Sequence, residues 1–273
     1  MEEIREALER AKASDPLAIE QRDARARRRI ESRPVRLPTI DAPIQEFEIN
    51  TTHLQSKRII AHDHTEPQST SFDMLRTQVL QSMDQKDWKI LGVTSPTPGC
   101  GKTVTAINLA LSVARQPERS VLLVDLDLRK PQVASCLGLK PNVGVMSVID
   151  GRTTLASAII PIRIGNSHLA VLPTEAATSG SSDRMASRGM TEMLEQIKRD
   201  YQSQFVILDL PPVLSSDDVL AISPQLDCVL LVTAVGTSSV AEINEANKHL
   251  QSLEIVRVVL NKVPPSQSKY YYY

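Results

Sequence analysis

A glycine-rich segment that ends in lysine and threonine carries the clearest chemical signal in the sequence. PTPGCGKT spans Pro96 to Thr103, after an apolar run and before a helix-forming stretch. Glycine lets backbone N–H groups close around phosphate oxygens, a helix N-terminus favours anions, and lysine can reach the outer phosphates. The sequence therefore predicts a phosphate-binding loop that contains Pro98, Gly99, Cys100, Gly101, Lys102, Thr103 and Val104. Because the general pattern has glycine at the position of Pro96, an ordinary glycine-rich turn remains the alternative.

Two aspartates that follow apolar runs could complete a metal site beside this loop. Asp125 follows VLLV and Asp209 follows FVIL, and an ionised carboxylate must emerge where a buried strand ends. The carboxyl ends of parallel strands share one edge of a sheet, which also receives the phosphate-binding loop. With the hydroxyl of Thr103, these carboxylates predict an oxygen-rich site for magnesium. The alternative is that each aspartate only ends its strand or caps the next helix.

More charged residues follow Asp125 in the same loop, in the order Asp127, Arg129 and Lys130. A carboxylate there could orient an attacking hydroxyl, and a guanidinium could offset charge on a transferring phosphoryl group. The predicted catalytic residues are therefore Lys102, Asp125, Asp127 and Arg129. A solvated charged loop is the alternative interpretation.

A change in amino-acid composition along the chain indicates the secondary-structure elements that must position these residues. Residues 1–69 are polar, with no sustained apolar period, and are expected to be weakly ordered. Residues 70–263 alternate short apolar runs with amphipathic stretches, which predicts a doubly wound α/β domain with a mainly parallel sheet, as in P-loop NTPases. Residues 264–273 form a flexible polar tail. Strands are predicted at 89–94, 121–125, 169–172, 205–209, 228–233 and 256–261, and helices at about 102–115, 188–200 and 239–252.

Composition limits the classes of partner and location. The 273 residues carry a net charge of −1, which gives no overall attraction to nucleic acid or to an anionic membrane. Three widely spaced cysteines, Cys100, Cys136 and Cys228, form no metal-chelating pair and fit a reducing cytosol. No apolar run reaches the ~18 residues of a membrane span. These features predict a cytoplasmic protein without a nucleic-acid partner.

Three motifs resemble those of the bacterial tyrosine kinases of capsule and exopolysaccharide systems, the BY-kinases. They are PGCGKT at 98–103, VLLVDLDLR at 121–129 and VILDLPP at 206–212, in the order and spacing of that family. The resemblance extends over residues 70–263. It implies an ATP-dependent protein-tyrosine autokinase that uses magnesium and regulates the polymerisation or export of a polysaccharide.

The resemblance also implies roles for individual residues. Lys102 and Thr103 would engage the phosphates and magnesium, and Asp125 and Asp209 would complete the metal site. An aspartate of the DxD pair would help to deprotonate the acceptor tyrosine, with Asp125 as the first choice and Asp127 as the second.

Two further sites are implied towards the C-terminus. Asn261, at the end of VVLN, resembles a position that contacts adenine in related P-loop proteins. Four of the five tyrosines end the chain, and such a cluster resembles the autophosphorylation tail of the family. The expected phosphoacceptors are Tyr270, Tyr271, Tyr272 and Tyr273. A terminus without function is the alternative.

The family pattern ExxRxxR, which helps subunits to form a ring, is altered in this sequence. Thr70 stands in place of the glutamate and Asp73 in place of the first arginine, whereas Arg76 remains. A weaker or different homo-oligomer is therefore expected. The family also implies a transmembrane chain-length-determinant or co-polymerase partner, which would hold the kinase at the inner face of the plasma membrane, and a cognate tyrosine phosphatase.

Two other functions fit the same fold. A MinD/ParA-type ATPase would carry a signature lysine at the position of Thr97, and it would not need a terminal tyrosine cluster. A nucleotide-binding adaptor without phosphotransfer would explain the altered Thr70 and Asp73. Separately, His62 and His64 could bind a metal, although a solvated loop is the simpler interpretation.

Overall fold

The computed structural model describes residues 47–63, 65–165, 167–201 and 204–264. The described residues belong to one compact unit. His64 and the terminal tyrosines lie outside the described residues, so what the sequence predicts for them stays a prediction.

A sheet of eight strands forms the centre of the described part of the chain. The strands are β1 (Phe47–Glu48), β2 (Ile90–Thr94), β3 (Ser120–Asp125), β4 (Ile160–Ile164), β5 (Ser167–Leu172), β6 (Gln204–Asp209), β7 (Cys228–Ala234) and β8 (Ile255–Asn261). They lie in the order β1-β4-β5-β3-β6-β2-β7-β8. Neighbouring strands are parallel except for β4 and β5, which are antiparallel. The predicted α/β class with a mainly parallel sheet is confirmed.

Helices cover both faces of this sheet. They are α1 (Thr51–Ser56), α2 (Ser69–Lys86), α3 (Lys102–Ala114), α4 (Val133–Leu137), α5 (Val145–Ile149), α6 (Leu155–Ala158), α7 (Ser181–Met185), α8 (Arg188–Asp200), α9 (Asp218–Ile222) and α10 (Val240–His249), with a 3₁₀ turn at Ser223–Gln225. Helix α8 begins after Ser187, whose hydroxyl accepts from the Met190 backbone N–H at 3.2 Å. The N-terminus of α10 has a capping box, in which Ser239 and Glu242 each satisfy the other's backbone N–H.

The core consists of two apolar clusters, one on each face of the sheet. In β3, Val121 and Leu123 belong to one cluster, and Leu122 and Val124 belong to the other. This alternation follows from the two-residue period of a strand. Because both faces are covered, the central strands are apolar throughout, which explains why their sequences are easy to recognise.

Strand order brings the predicted site residues to one edge. Strand β6 lies between β3 and β2, and Asp125 is paired in register with Asp209. The phosphate-binding loop follows β2, so it leaves the sheet at the same carboxyl edge.

The ordered unit begins earlier than residue 70, the start expected from the sequence. Leu54 of α1 and Ile59 after it are completely buried, and both belong to the same cluster as α3. The side chain of Asn108 in α3 accepts hydrogen bonds from the backbone N–H groups of Ile60 at 2.8 Å and Ala61 at 2.9 Å. The segment is polar overall, and its contacts with α3 are made by two buried apolar side chains and two backbone N–H groups. Such contacts leave no periodic pattern in the sequence.

No helix in the described ranges is long and apolar enough to cross a membrane.

Candidate active site

The loop after β2 has the backbone geometry of a cradle. Gly99 and Gly101 adopt positive φ angles of 84° and 91°, which residues with a Cβ rarely adopt. Between them, Cys100 is buried, and its thiol donates to the Thr97 carbonyl at 3.2 Å. Pro98 is exposed at the turn, and Val104 lies half-buried in the first turn of α3. Because α3 begins at Lys102, its free N–H groups face the end of this loop.

Lys102 points into a buried group of carboxylates. Its Nζ lies 2.7 Å from Oδ2 of Asp127 and 3.8 Å from Oδ1 of Asp209. Burial favours the neutral amine, but the carboxylates of Asp209 and Asp127 outweigh burial and raise the pKa of Lys102. Lys102 is therefore positively charged at neutral pH and is available to anionic oxygens at this edge.

Thr103 and Asp209 form the second contact between the loop and the sheet. The threonine hydroxyl donates to Oδ2 of Asp209 at 2.7 Å, and Asp209 is completely buried. Oδ1 of Asp209 is buried and has no hydrogen-bond donor among the described residues. Burial raises the pKa of Asp209, although Lys102 and the Thr103 hydroxyl act in the opposite direction. An orphaned carboxylate oxygen at this position fits a cation or a donor from a ligand.

Asp125 organises the loop that carries Asp127. Its Oδ1 accepts from the Asp127 N–H at 3.2 Å, and its Oδ2 accepts from the Gln132 and Val133 N–H groups at 3.0 and 2.9 Å. Burial and the neighbouring Asp209 raise the pKa of Asp125 well above its usual range, although the Val133 N–H opposes this shift. Asp125 therefore fixes the loop geometry at the same edge where Asp209 emerges.

Arg129 lies two residues after Asp127 in the same loop. Its Nε donates to the Ser181 hydroxyl at 2.7 Å and lies 3.7 Å from Oδ2 of the buried Asp218. Sequence reasoning missed Ser181 and Asp218, because Ser181 is 52 residues away along the chain and no motif joins either residue to the loop. With Ala177, Thr178 and Ser179, Arg129 lines an open depression of about 450 Å³.

Asn261, at the end of β8, contacts the phosphate-binding loop. Its Nδ2 donates to the Cys100 carbonyl at 2.9 Å. A Cβ built on Gly101 would lie 2.4 Å from the same nitrogen, so only glycine fits there without displacement. The predicted contact between Asn261 and adenine stays a prediction.

The donor set is compatible with magnesium. Over the residues that the structure describes, no group of three or more His, Cys, Asp or Glu side chains is arranged to hold a metal ion. A magnesium ion here would use the Thr103 hydroxyl and the aspartates, and it would take its other ligands from phosphate oxygens and water, as magnesium commonly does.

The altered interface motif makes contacts within the chain. Asp73 accepts hydrogen bonds from the Ser112 hydroxyl at 2.6 Å and from the Arg115 guanidinium. Arg76 donates to Asp73 at 3.2 Å and to the Ser112 carbonyl at 3.0 Å. Both residues thus help to hold α2 against α3. The prediction of a weaker or different homo-oligomer stays a prediction.

Comparison with known families and proteins identifies relatives of this chain. Residues 88–256 match the family model described as an AAA domain, which is more than half of the chain. EpsB of Ralstonia nicotianae is 28% identical over 245 residues, which cover 86% of this chain and 31% of EpsB. The chain therefore spans about a third of the length of that relative. The tyrosine-protein kinase YwqD of Bacillus subtilis is 29% identical, with 77% of this chain and 89% of YwqD covered.

Solved structures with the same fold include kinase domains and ATPases. The kinase domain of the Escherichia coli tyrosine kinase ETK superposes with a TM-score of 0.64 at 26% identity, covering 73% of this chain and 77% of that chain. The septum site-determining protein MinD of Pyrococcus horikoshii, solved with Mg-ADP, gives a TM-score of 0.54 at 24% identity, covering 65% and 74%. The likeness to this MinD structure shows the fold alone.

Proposed function

Because this chain belongs to the AAA domain family and is similar to proteins named tyrosine-protein kinases, we propose that it is an ATP-dependent protein-tyrosine autokinase. Membership of this family implies nucleotide binding. One observation carries the proposal: two pairs of functional side chains meet at one edge of the sheet. Lys102 Nζ lies 2.7 Å from Oδ2 of Asp127, and the hydroxyl of Thr103 lies 2.7 Å from Oδ2 of Asp209. A charged lysine, a hydroxyl and carboxylates are the groups that phosphoryl transfer needs.

The residues at this edge fit ATP with magnesium. The positive φ of Gly99 and Gly101 opens the loop for phosphate oxygens, and the start of α3 favours their negative charge. Lys102 would bind the outer phosphates, and Thr103 with Asp125 and Asp209 would hold magnesium. When bound, the ion would neutralise charge that develops on the phosphate oxygens. Asn261 would stand beside the nucleotide through its contact with the Cys100 carbonyl.

Among the two candidate bases, the contacts favour Asp127 over Asp125. Both oxygens of Asp125 accept backbone N–H groups, whereas Asp127 accepts one only at Oδ1, from Lys130, and its Oδ2 contacts the Lys102 amine. Asp127 would accept the proton of the tyrosine hydroxyl, whose oxygen forms a bond to the γ-phosphorus. The bond between that phosphorus and the bridging oxygen of ADP breaks, and Arg129 would offset the charge on the phosphoryl group.

The proposed acceptors are Tyr270 to Tyr273. The ten residues from Pro264 to Tyr273 could extend about 33 Å, so these tyrosines could reach the site of a neighbouring molecule. Each phosphate would add a charge of about −1.5 to −2. Accumulated charge would repel the tails from the carboxylates of the sites that bind them.

The proposed cellular role is regulation of the polymerisation or export of a capsular or extracellular polysaccharide. A transmembrane chain-length-determinant or co-polymerase partner would hold the kinase at the inner face of the plasma membrane and raise its activity. A tyrosine phosphatase would reset the tail. Co-expression with such a partner tests this role, and unchanged tail phosphorylation would count against it.

The direct test is to incubate the purified chain with magnesium and ATP and to locate phosphate by mass spectrometry. We expect phosphate on the tail, and we expect Lys102→Met to reduce it at least 100-fold. Since Lys102 compensates buried carboxylates, the fold of this variant must be checked by circular dichroism. A variant with phenylalanine at all four tail tyrosines leaves the described domain intact and should incorporate no phosphate there.

Two results would contradict the kinase assignment. Steady ATP hydrolysis without phosphotyrosine would support a MinD/ParA-type ATPase, and tight ATP binding with neither activity would support an adaptor. Incorporation that persists in Lys102→Met protein would refute the role given to this lysine.

A further inference from the structure

The guanidinium of Arg129 is attached to a polar pair outside the sequence motifs. Its Nε donates to the Ser181 hydroxyl at 2.7 Å, and the same hydroxyl donates to Oδ1 of Asp218 at 3.1 Å. Ser181 begins α7 and Asp218 begins α9, so two separate helices meet at this arginine. The contacts form a chain from a buried carboxylate to a residue in the loop that carries Asp127.

Asp218 has the properties of an anchor. It is completely buried, and its Oδ2 accepts no hydrogen bond from the described residues. A buried carboxylate is strongly destabilising unless a cation or donors compensate it. Arg129 Nε, at 3.7 Å from Oδ2, is the cation that the structure provides. The carboxylate therefore stabilises the guanidinium in one place, and the guanidinium stabilises the carboxylate.

The position of Arg129 leaves its outer end available for a ligand. The side chain is 45% exposed although its partner is fully buried. Both contacts use Nε, so the two terminal amino groups can bind oxygens of a substrate. The loop that completes the depression is fixed to the loop that carries Asp127 and Arg129, because the Thr178 N–H donates to the Leu128 carbonyl at 2.8 Å.

We propose that Ser181 and Asp218 are positioning residues that hold the Arg129 guanidinium beside the site of phosphoryl transfer. This inference rests on the proposed kinase function. A long arginine side chain has many rotamers in water, and a group fixed in advance stabilises developing charge without having to reorganise during the reaction. Without the Ser181 hydroxyl, Arg129 becomes mobile and the transfer step slows, while nucleotide binding at Lys102 and Thr103 is retained.

The kinetic test compares Ser181→Ala with Ser182→Ala. Ser182 is a matched control, because its hydroxyl lies 2.5 Å from Oδ1 of Asp217 and 2.6 Å from Oδ1 of Asp218, with its single hydrogen shared between these carboxylates, and it does not contact Arg129. At saturating ATP, Ser181→Ala should lower the rate of phosphate incorporation about tenfold with less than a twofold change in KM for ATP. Ser182→Ala should stay within twofold of the unchanged protein. In an Arg129→Ala background, Ser181→Ala should have no further effect.

A second measurement is independent of kinase activity. The ¹⁵N relaxation of the Arg129 Nε–H group should report a rigid guanidinium in the unchanged protein and in Ser182→Ala, and a mobile one in Ser181→Ala. The inference is overturned if Arg129 stays rigid in Ser181→Ala, if Ser182→Ala causes an equal loss of rate, or if the effects of Ser181→Ala and Arg129→Ala multiply. If the unchanged protein transfers no phosphate, the kinase proposal fails, and the relaxation data still decide whether Ser181 holds Arg129.

Discussion

Replacement of Gly101 by alanine tests how closely the phosphate-binding loop and the last strand are packed. At φ +91° an L-residue is strained by about 1–2 kcal/mol. The new Cβ would also lie 2.4 Å from Nδ2 of Asn261, which must move and give up its hydrogen bond to the Cys100 carbonyl. Loss of that bond removes about 1 kcal/mol. We expect Gly101→Ala to lower the free energy of unfolding by about 2–3 kcal/mol in total.

Alanine variants of two other glycines, compared by urea unfolding, separate the effect of backbone strain from the effect of displacing Asn261. Gly99 has φ +84°, and a Cβ there would meet only Thr237 Cγ2, at 4.0 Å. Gly236 has φ +71° with no atom within 4 Å. Alanine at either position should lower the free energy of unfolding only by the strain of an L-residue at positive φ, about 1–2 kcal/mol. In an Asn261→Ala background, the loss of unfolding free energy caused by Gly101→Ala should fall to the same value. Equal losses for Gly99→Ala and Gly101→Ala, within about 0.3 kcal/mol, would refute the argument from close approach.

Four further results are expected. Asn108→Ala should lower the free energy of unfolding by about 2–4 kcal/mol in urea titrations, because it leaves two backbone N–H groups without their acceptor; no change would mean that the preceding segment is not held there. Burial alone would raise the pKa of Asp73, but hydrogen bonds from Arg115 and Ser112 outweigh it and lower that pKa, so the stability that Asp73 adds is present above the unfolded pKa near 3.9 and is lost as pH falls through the folded value. The difference in unfolding free energy between the unchanged protein and Asp73→Asn, about 1 kcal/mol at pH 6, should therefore shrink below pH 4, and a difference independent of pH would contradict this assignment. Burial raises the pKa of Cys228 to about 12, so iodoacetamide at pH 8 should label it only after unfolding, and rapid labelling of folded protein would show that the strand opens. Thr103→Ala should raise the magnesium concentration needed for half-maximal phosphate incorporation roughly tenfold, whereas an unchanged requirement would remove Thr103 from the metal site.

The buried strands could be predicted from the sequence because they are covered on both faces. The runs that end at Asp125 and Asp209 lie at the predicted positions to within a residue or two, and α3 starts at the predicted Lys102. Strand β4, Ile160–Ile164, was not predicted, since its pattern is partly exposed and includes Pro161 and Arg163. It pairs with β5 in the antiparallel direction, which a repeating strand–helix pattern does not anticipate.

The candidate site could be predicted only as far as local motifs reach. Spacing along the chain was enough to place Thr103 and Asp209 at one edge, where they make a 2.7 Å hydrogen bond. The motifs do not predict that the Asp125 carboxylate accepts hydrogen bonds from backbone N–H groups. They also do not predict that Arg129 donates to the Ser181 hydroxyl. These contacts depend on how loops return to the sheet, and no local period records that path.

The attachment of residues 58–61 to α3 matters for choosing recombinant fragments. A fragment cut at residue 70, where the polar sequence suggests a natural boundary, would lack Leu54 and Ile59 and would uncover the apolar surface that they shield. It would also leave the buried amide of Asn108 without the Arg58 carbonyl that it donates to at 3.0 Å. Uncovered apolar surface of this kind promotes aggregation. Fragments intended for crystallisation or inhibitor screening should therefore retain the residues from 47 onwards.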